Sequence, residues 1–263
     1  MLPYAPSVLA IAAALLLPTF LSLLIIAGLA RRVSAKYIAA YAVGIYLWFF
    51  SDTIGDSAYL GVNSGFNGGV EQVALVLLFV FGVLLVFSLD RTAFSSGGSV
   101  DGMAFSVPVL LALAVGIHGF GEAAAFSGIA AQTPGTDMLG AFGGLSPAVA
   151  FIIHKALESI MVGAAYWVYS RNHAKTNGAL FRDILILVIA FALPGLVGAA
   201  TNYYLLYDST FAFALGLGTS TYAVVMLAKP LFGDPVRGWG STKIALLMVL
   251  GFLSLYLAAL FHS

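Results

Sequence analysis

The chain has no cysteine. That absence excludes disulfides, iron–sulfur clusters and thiolate metal sites, and it leaves the redox compartment open. Charge is the next shortage. Only 8% of the 263 residues are charged and 61% are hydrophobic, whereas a soluble domain carries about 25% charged residues. This excludes a soluble protein and implies an integral membrane protein. The formal net charge of zero says little, because the placement of the charges matters more. No stretch reads as a soluble domain or a long linker, so residues 1–263 form a single transmembrane domain. Its partner is the lipid bilayer, and no nucleic acid is expected.

About 20 apolar residues cross a bilayer as a helix. Eight segments meet that requirement, at about 7–30, 37–60, 71–89, 104–131, 144–169, 183–206, 209–228 and 242–261. Their apolar runs are continuous rather than alternating, which points to helices and not a barrel. The first run has no Lys or Arg before it and is longer than a signal-peptide core, so it reads as a retained span. Lys and Arg are absent from the second, fourth and sixth joints. The odd-numbered joints hold Arg31, Arg32, Lys36, Arg91, Arg171, Lys175, Arg182, Lys229, Arg237 and Lys243, which is ten of the eleven basic residues. The positive-inside rule places that side in the cytoplasm, and both termini then lie outside, as eight spans require. The outer joints carry only the acids Glu71, Asp137 and Asp208, a weakly negative mouth that favours cations.

Seven ionisable residues fall inside spans: Asp52, Asp56, His118, Glu122, His154, Lys155 and Glu158. Each costs a few kcal/mol at mid-membrane, by about 2.5–3.5 on insertion scales for a full charge. "HGFGE" sets His118 and Glu122 at i, i+4, and "HKALE" sets His154 and Glu158 at the same spacing. Each pair therefore shares one helix face. If the faces oppose each other, two imidazoles and two carboxylates converge as a nitrogen–oxygen ligand set for a divalent first-row metal. The four carboxylates and one ammonium total −3 when ionised, so a cation relieves the site. The competing reading is structural, with polar side chains bonding between helices.

Asp52 and Asp56 repeat the i, i+4 spacing and read as a further ligand set or a stop on a cation path; the competing reading is structural, with Asp56 wet at the outer end of its span. Lys155 points about 100° away from His154 on a helix, toward the flank of the site. There it can pair with Glu122, Glu158 or Asp52, or else snorkel to an interface. Gly116, Gly119 and Gly121 permit close helix approach around His118, as Gly216 and Gly218 do in the seventh span. Asn202, Tyr203 and Tyr204 read as interfacial anchors. Thr219, Ser220 and Thr221 read as donors to helix backbone, and His173 and His262 as solvated.

With these residues in hand, the chain resembles the ZIP (Zrt/Irt-like) family of metal transporters. The family's fourth span carries His-Asn-x-Pro-Glu-Gly, where this chain has His118-Gly119-Phe120-Gly121-Glu122-Ala123. Its fifth span carries a motif of similar ligand spacing, where this chain has His154-Lys155-Ala156-Leu157-Glu158-Ser159. The resemblance implies an all-α, eight-helix 3+2+3 bundle with inverted repeats. It also implies metal ligation by His118, Glu122, His154 and Glu158. Asn and Pro of the family's motif are replaced by Gly119 and Gly121, and Lys155 stands where a second-site carboxylate is common. The sixth span has no acid within its apolar core, and the third joint has no His.

The expected function is a divalent cation transporter that moves ions into the cytoplasm by alternating access, probed first as Zn²⁺ with Fe²⁺, Mn²⁺, Co²⁺ and Ni²⁺ as further candidates. It carries no prosthetic group and is not an enzyme. It sits in the plasma (inner) membrane, as a monomer or a homodimer. Two rival readings are an intramembrane zinc-dependent hydrolase with Glu122 or Glu158 as base, and a sensor that binds metal without moving it.

Overall fold

A computed structural model describes residues 3–29, 32–33, 37–48, 50–51, 70–92, 104–133, 137, 139–171, 173, 176–207, 209–232 and 242–260. The described residues form eight α-helices: α1 (Tyr4–Leu29), α2 (Tyr37–Trp48), α3 (Val70–Thr92), α4 (Ser106–Gln132), α5 (Leu145–Arg171), α6 (Asn177–Leu205), α7 (Thr210–Phe232) and α8 (Thr242–Ala259). Six of them, all except α2 and α7, are long and apolar enough among the described residues to cross a membrane. The protein is an integral membrane protein.

The molecule is layered by burial. In the most apolar window, 72% of α4 and 67% of α5 is buried, against 11% of α3 and 17% of α8. So α4 and α5 are central and α3 and α8 are peripheral. The outward surface is apolar: Leu17, Leu21 and Ile25 on α1, Val73, Leu77 and Leu84 on α3, and Leu246, Val249 and Leu253 on α8 are exposed. The polar and charged residues His118, Glu122, His154, Lys155, Glu158 and Asp183 are buried instead. Hydrocarbon selects that arrangement, because a polar group facing lipid stays unsatisfied.

Packing pairs the helices. α4 lies mainly against α6 and α7, α1 against α5 and α6, and α3 against α7. α2 meets α8, where Tyr41 Oη donates to Ser254 Oγ at 2.9 Å and Trp48 meets Phe252 and Tyr256 edge-on. Glycines set the closest crossings. Gly82 of α3 faces the backbone of Leu215 and Gly218 in α7, while Gly44 of α2 and Gly251 of α8 face each other's helix backbone at Met248 and Tyr41. With no Cβ in the way, helix axes come closer than larger residues allow.

The connections before α6 and between α4 and α5 differ from the sequence expectation. α6 starts at Asn177 rather than 183, because Thr176 adopts an extended backbone and its hydroxyl accepts from Ala179 N at 3.3 Å, an N-cap that hydropathy does not register. Arg182 is therefore helical and not part of the joint. Secondly, the joint between α4 and α5 is not featureless. Asp137 Oδ1 accepts from Gly140 N at 2.6 Å and starts a 3₁₀ turn (Gly140–Phe142), which buries Phe142 against Phe126 and Phe151. The chain leaves that turn through Gly143 and Gly144 at φ +83° and +119°, a backbone that suits glycine.

Candidate metal centre

His118 and Glu122 straddle the middle of α4, and Glu158 is the midpoint of α5. One apolar cluster flanks this level with Val115, Met161 and Leu187, and a second with Leu15, Ala123, Phe126 and Phe151. The polar residues thus occupy the seam between two apolar cores. Both i, i+4 pairs turn toward that seam. His118, Glu122, His154 and Glu158 are all buried, and each offers a ligand atom within 4.8 Å of the other three.

The detailed geometry divides each carboxylate. Oε1 of Glu122 lies 3.6 Å from His118 Nε2 and 3.7 Å from His154 Nε2. Oε1 of Glu158 lies 3.9 Å from His118 Nε2 and 2.9 Å from His154 Nε2. The Oε2 atoms turn the other way, onto a shared cation. Lys155 Nζ donates to Glu158 Oε2 at 2.6 Å and is ion-paired with Glu122 Oε2. Of the partners expected for Lys155, the structure brings Glu122 and Glu158; Asp52 and Asp56 lie outside the described residues. The lysine is fully buried, so it does not snorkel. Its ammonium sits 5.5 Å from the Phe151 ring centroid, close to the Cα side of Gly119, where an added Cβ would be 3.9 Å from Nζ.

The imidazoles and the Oε1 atoms could hold a divalent ion between them. Tetrahedral coordination with bonds of about 2.0–2.2 Å separates donors by about 3.3–3.6 Å. The four imidazole–carboxylate distances, 2.9 to 3.9 Å, already bracket that spacing. Two nitrogens and two oxygens suit first-row divalent ions better than Mg²⁺ or Ca²⁺, which take oxygen.

The support around the site comes from backbone contacts. Gly216 of α7 sits against His118, where an added Cβ would be 2.6 Å from its Cα. Thr219 donates to Ala114 O at 2.8 Å, tying α7 to α4. Ser22 of α1 donates to Ala156 O at 2.8 Å, and Ser127 of α4 to Ala199 O of α6 at 2.6 Å. An apolar cavity of about 530 Å³ between α1, α2, α5 and α8, lined by Ile25, Tyr41, Ile152, Ala156 and Leu247, lies behind α5.

Several polar residues differ from their sequence reading. Asn202 is not an interfacial anchor: it is buried, donates to Ala124 O at 2.9 Å and accepts from Tyr207 N at 2.6 Å. Tyr203 and Tyr204 do cluster with Tyr4 at a helix end. Thr219 and Thr221 bond to helix carbonyls as expected, whereas buried Ser220 Oγ has no partner among the described residues. His173 is exposed; His262 lies outside the described residues. Asp183 went unremarked in the sequence. It is buried near the start of α6, accepts from Tyr166 Oη at 3.2 Å and meets Arg182. The expected span 183–206 begins at it, and the Thr176 cap, which starts the helix at Asn177, sets it about a turn and a half inside the helix instead.

Compared with family models and with curated proteins, the chain matches none, and its function is read from this site.

Proposed function

We propose that the protein is a ZIP-like divalent metal cation transporter of the plasma (inner) membrane, moving Zn²⁺ or a similar ion into the cytoplasm by alternating access. The observation that carries this reading is the convergence of four metal-ligating side chains from two central helices, buried at mid-span. A buried cluster of ionisable groups in a membrane marks an ion pathway by default. The helix pairing supports a 3+2+3 bundle with inverted repeats. α3 crosses α7 and α2 crosses α8 in the same manner, each through a glycine on both partners: Gly82 with Gly218, and Gly44 with Gly251. Exchanging the first three helices for the last three maps one crossing onto the other. Inverted repeats that meet at a mid-membrane site are a recurring transporter plan.

The hydrolase reading needs a carboxylate free to act as general base. Both candidates, Glu122 and Glu158, are engaged by Lys155, which counts against the hydrolase. The decisive experiment is Zn²⁺ uptake into proteoliposomes loaded with a zinc indicator. Uptake should exceed that of protein-free vesicles, and His118→Ala and His154→Ala should each slow it at least tenfold. Zn²⁺ binding with no uptake would leave the sensor reading standing and end the transporter reading.

A further inference from the structure

Glu122 and Glu158 each present two oxygens to two different compartments. The Oε1 side opens on both imidazoles. The Oε2 side opens on a space floored by Gly119 and flanked by the Phe151 ring, and that space holds the ammonium of Lys155. Two carboxylates shared in this way form the frame of a two-cation centre. We propose that Lys155 is a tethered cation that permanently fills the second compartment, so that the protein binds one divalent ion and no more. This rests on the metal-site reading given above.

Three features carry the assignment. The first is burial: Lys155 is fully buried, although its flexible stem is what normally lets a lysine reach water. The second is coordination. Nζ meets one oxygen from each glutamate, the place a second bridged ion would take. The third is space. A Cβ at residue 119 would already be in van der Waals contact with Nζ, so a longer side chain there would compete for the ammonium's volume. The chain has glycine. The ammonium's charged partners among the described residues are two carboxylate oxygens, so the ligand class of this compartment is a hard cation or an ammonium group.

Two consequences are measurable. Lys155 holds the divalent count at one, and its charge, a few ångströms from the imidazole compartment, weakens the grip on the ion there. The test is Zn²⁺ stoichiometry and affinity of the purified full chain in detergent, by equilibrium dialysis and elemental analysis. The unmodified protein should hold one Zn²⁺ per chain. Lys155→Glu should hold two. Lys155→Met keeps the volume filled but removes the charge, and should still hold one, bound at least tenfold more tightly. Two ions in the unmodified protein, a folded Lys155→Glu chain that stays at one, or a Lys155→Met affinity within twofold of the original would each overturn the proposal. Should Lys155→Glu fail to fold, the Lys155→Met affinity decides alone. An unmodified chain that binds no Zn²⁺ would remove the metal-site reading itself and this inference with it, an outcome distinct from the other three.

Discussion

Lys155 and its two glutamates are charged groups that water cannot reach, and their energetics are those of a buried network. Removing one partner strands the other charge and costs about 3–5 kcal/mol, whereas removing both is far milder. Lys155→Met, which strands both glutamates, should therefore lower the melting temperature in detergent markedly. The triple variant Lys155→Met/Glu122→Gln/Glu158→Gln should recover part of that loss; strictly additive losses would show that the three residues do not act as a unit. At this scale much of the centre was legible in the sequence. A helix repeats every 3.6 residues, so His118 with Glu122 and His154 with Glu158 had to share a face. The flank position of Lys155 followed from the same geometry. The split between Oε1 and Oε2 depends on how α4 and α5 face each other, and no spacing within either helix encodes that. Asn202 was misread for a related reason: a polar residue near a span end suits an interface as well as it suits a bond to the neighbouring helix.

Among the elements, α7 holds its place by an absence of side chain. Gly216→Ala would set a Cβ 2.6 Å from the Cα of His118, closer than carbon atoms approach without movement, so α7 and α4 must part. The expected result is a lower melting temperature and Zn²⁺ affinity at least threefold weaker. Gly28→Ala is the control: nothing lies within 4 Å of its added Cβ, and replacing glycine in a helix gains about 0.5–1 kcal/mol. Its melting temperature should hold or rise. A Gly216→Ala chain as stable and as tight-binding as the control would show that the α4–α7 approach does not position His118. Helix existence was readable from apolar run length, and most span limits lie within a few residues of the helices found. The start of α6 was not, because Thr176 fixes it by a hydrogen bond and not by hydropathy. The turn at Gly140–Phe142 was hidden for the opposite reason: its apolar residues, Ala141 and Phe142, are too few to register as a run.

For the whole molecule, the orientation read from Lys and Arg can be checked on a chain that lacks thiols, since any introduced cysteine is unique. Leu139→Cys, on the α4–α5 joint, should react with a membrane-impermeant maleimide in intact cells. His173→Cys, on the α5–α6 joint, should react only after permeabilisation. Both positions are exposed, so the reverse pattern would mean that the molecule is inserted the other way round. The expected orientation rests on basic residues avoiding alternate joints; the helix pairing was not legible, because lipid-facing and protein-facing apolar residues look alike in sequence. The lysine also bears on the cycle that the proposed transport would require. With neutral imidazoles, two carboxylates and one ammonium leave the empty centre at one negative charge, and a divalent ion takes it to one positive charge. The cost of holding charge in a poorly polarisable medium grows as the square of that charge, following the Born relation. Empty and loaded centres are then penalised alike. Without the lysine the loaded centre would be neutral and the empty one doubly negative, a well from which an ion escapes slowly. In the proposed transport cycle a fixed ammonium levels the empty and loaded states, so that neither loading nor release has to climb out of a deep well, and the lysine sets the pace of the cycle while the gradient sets its direction.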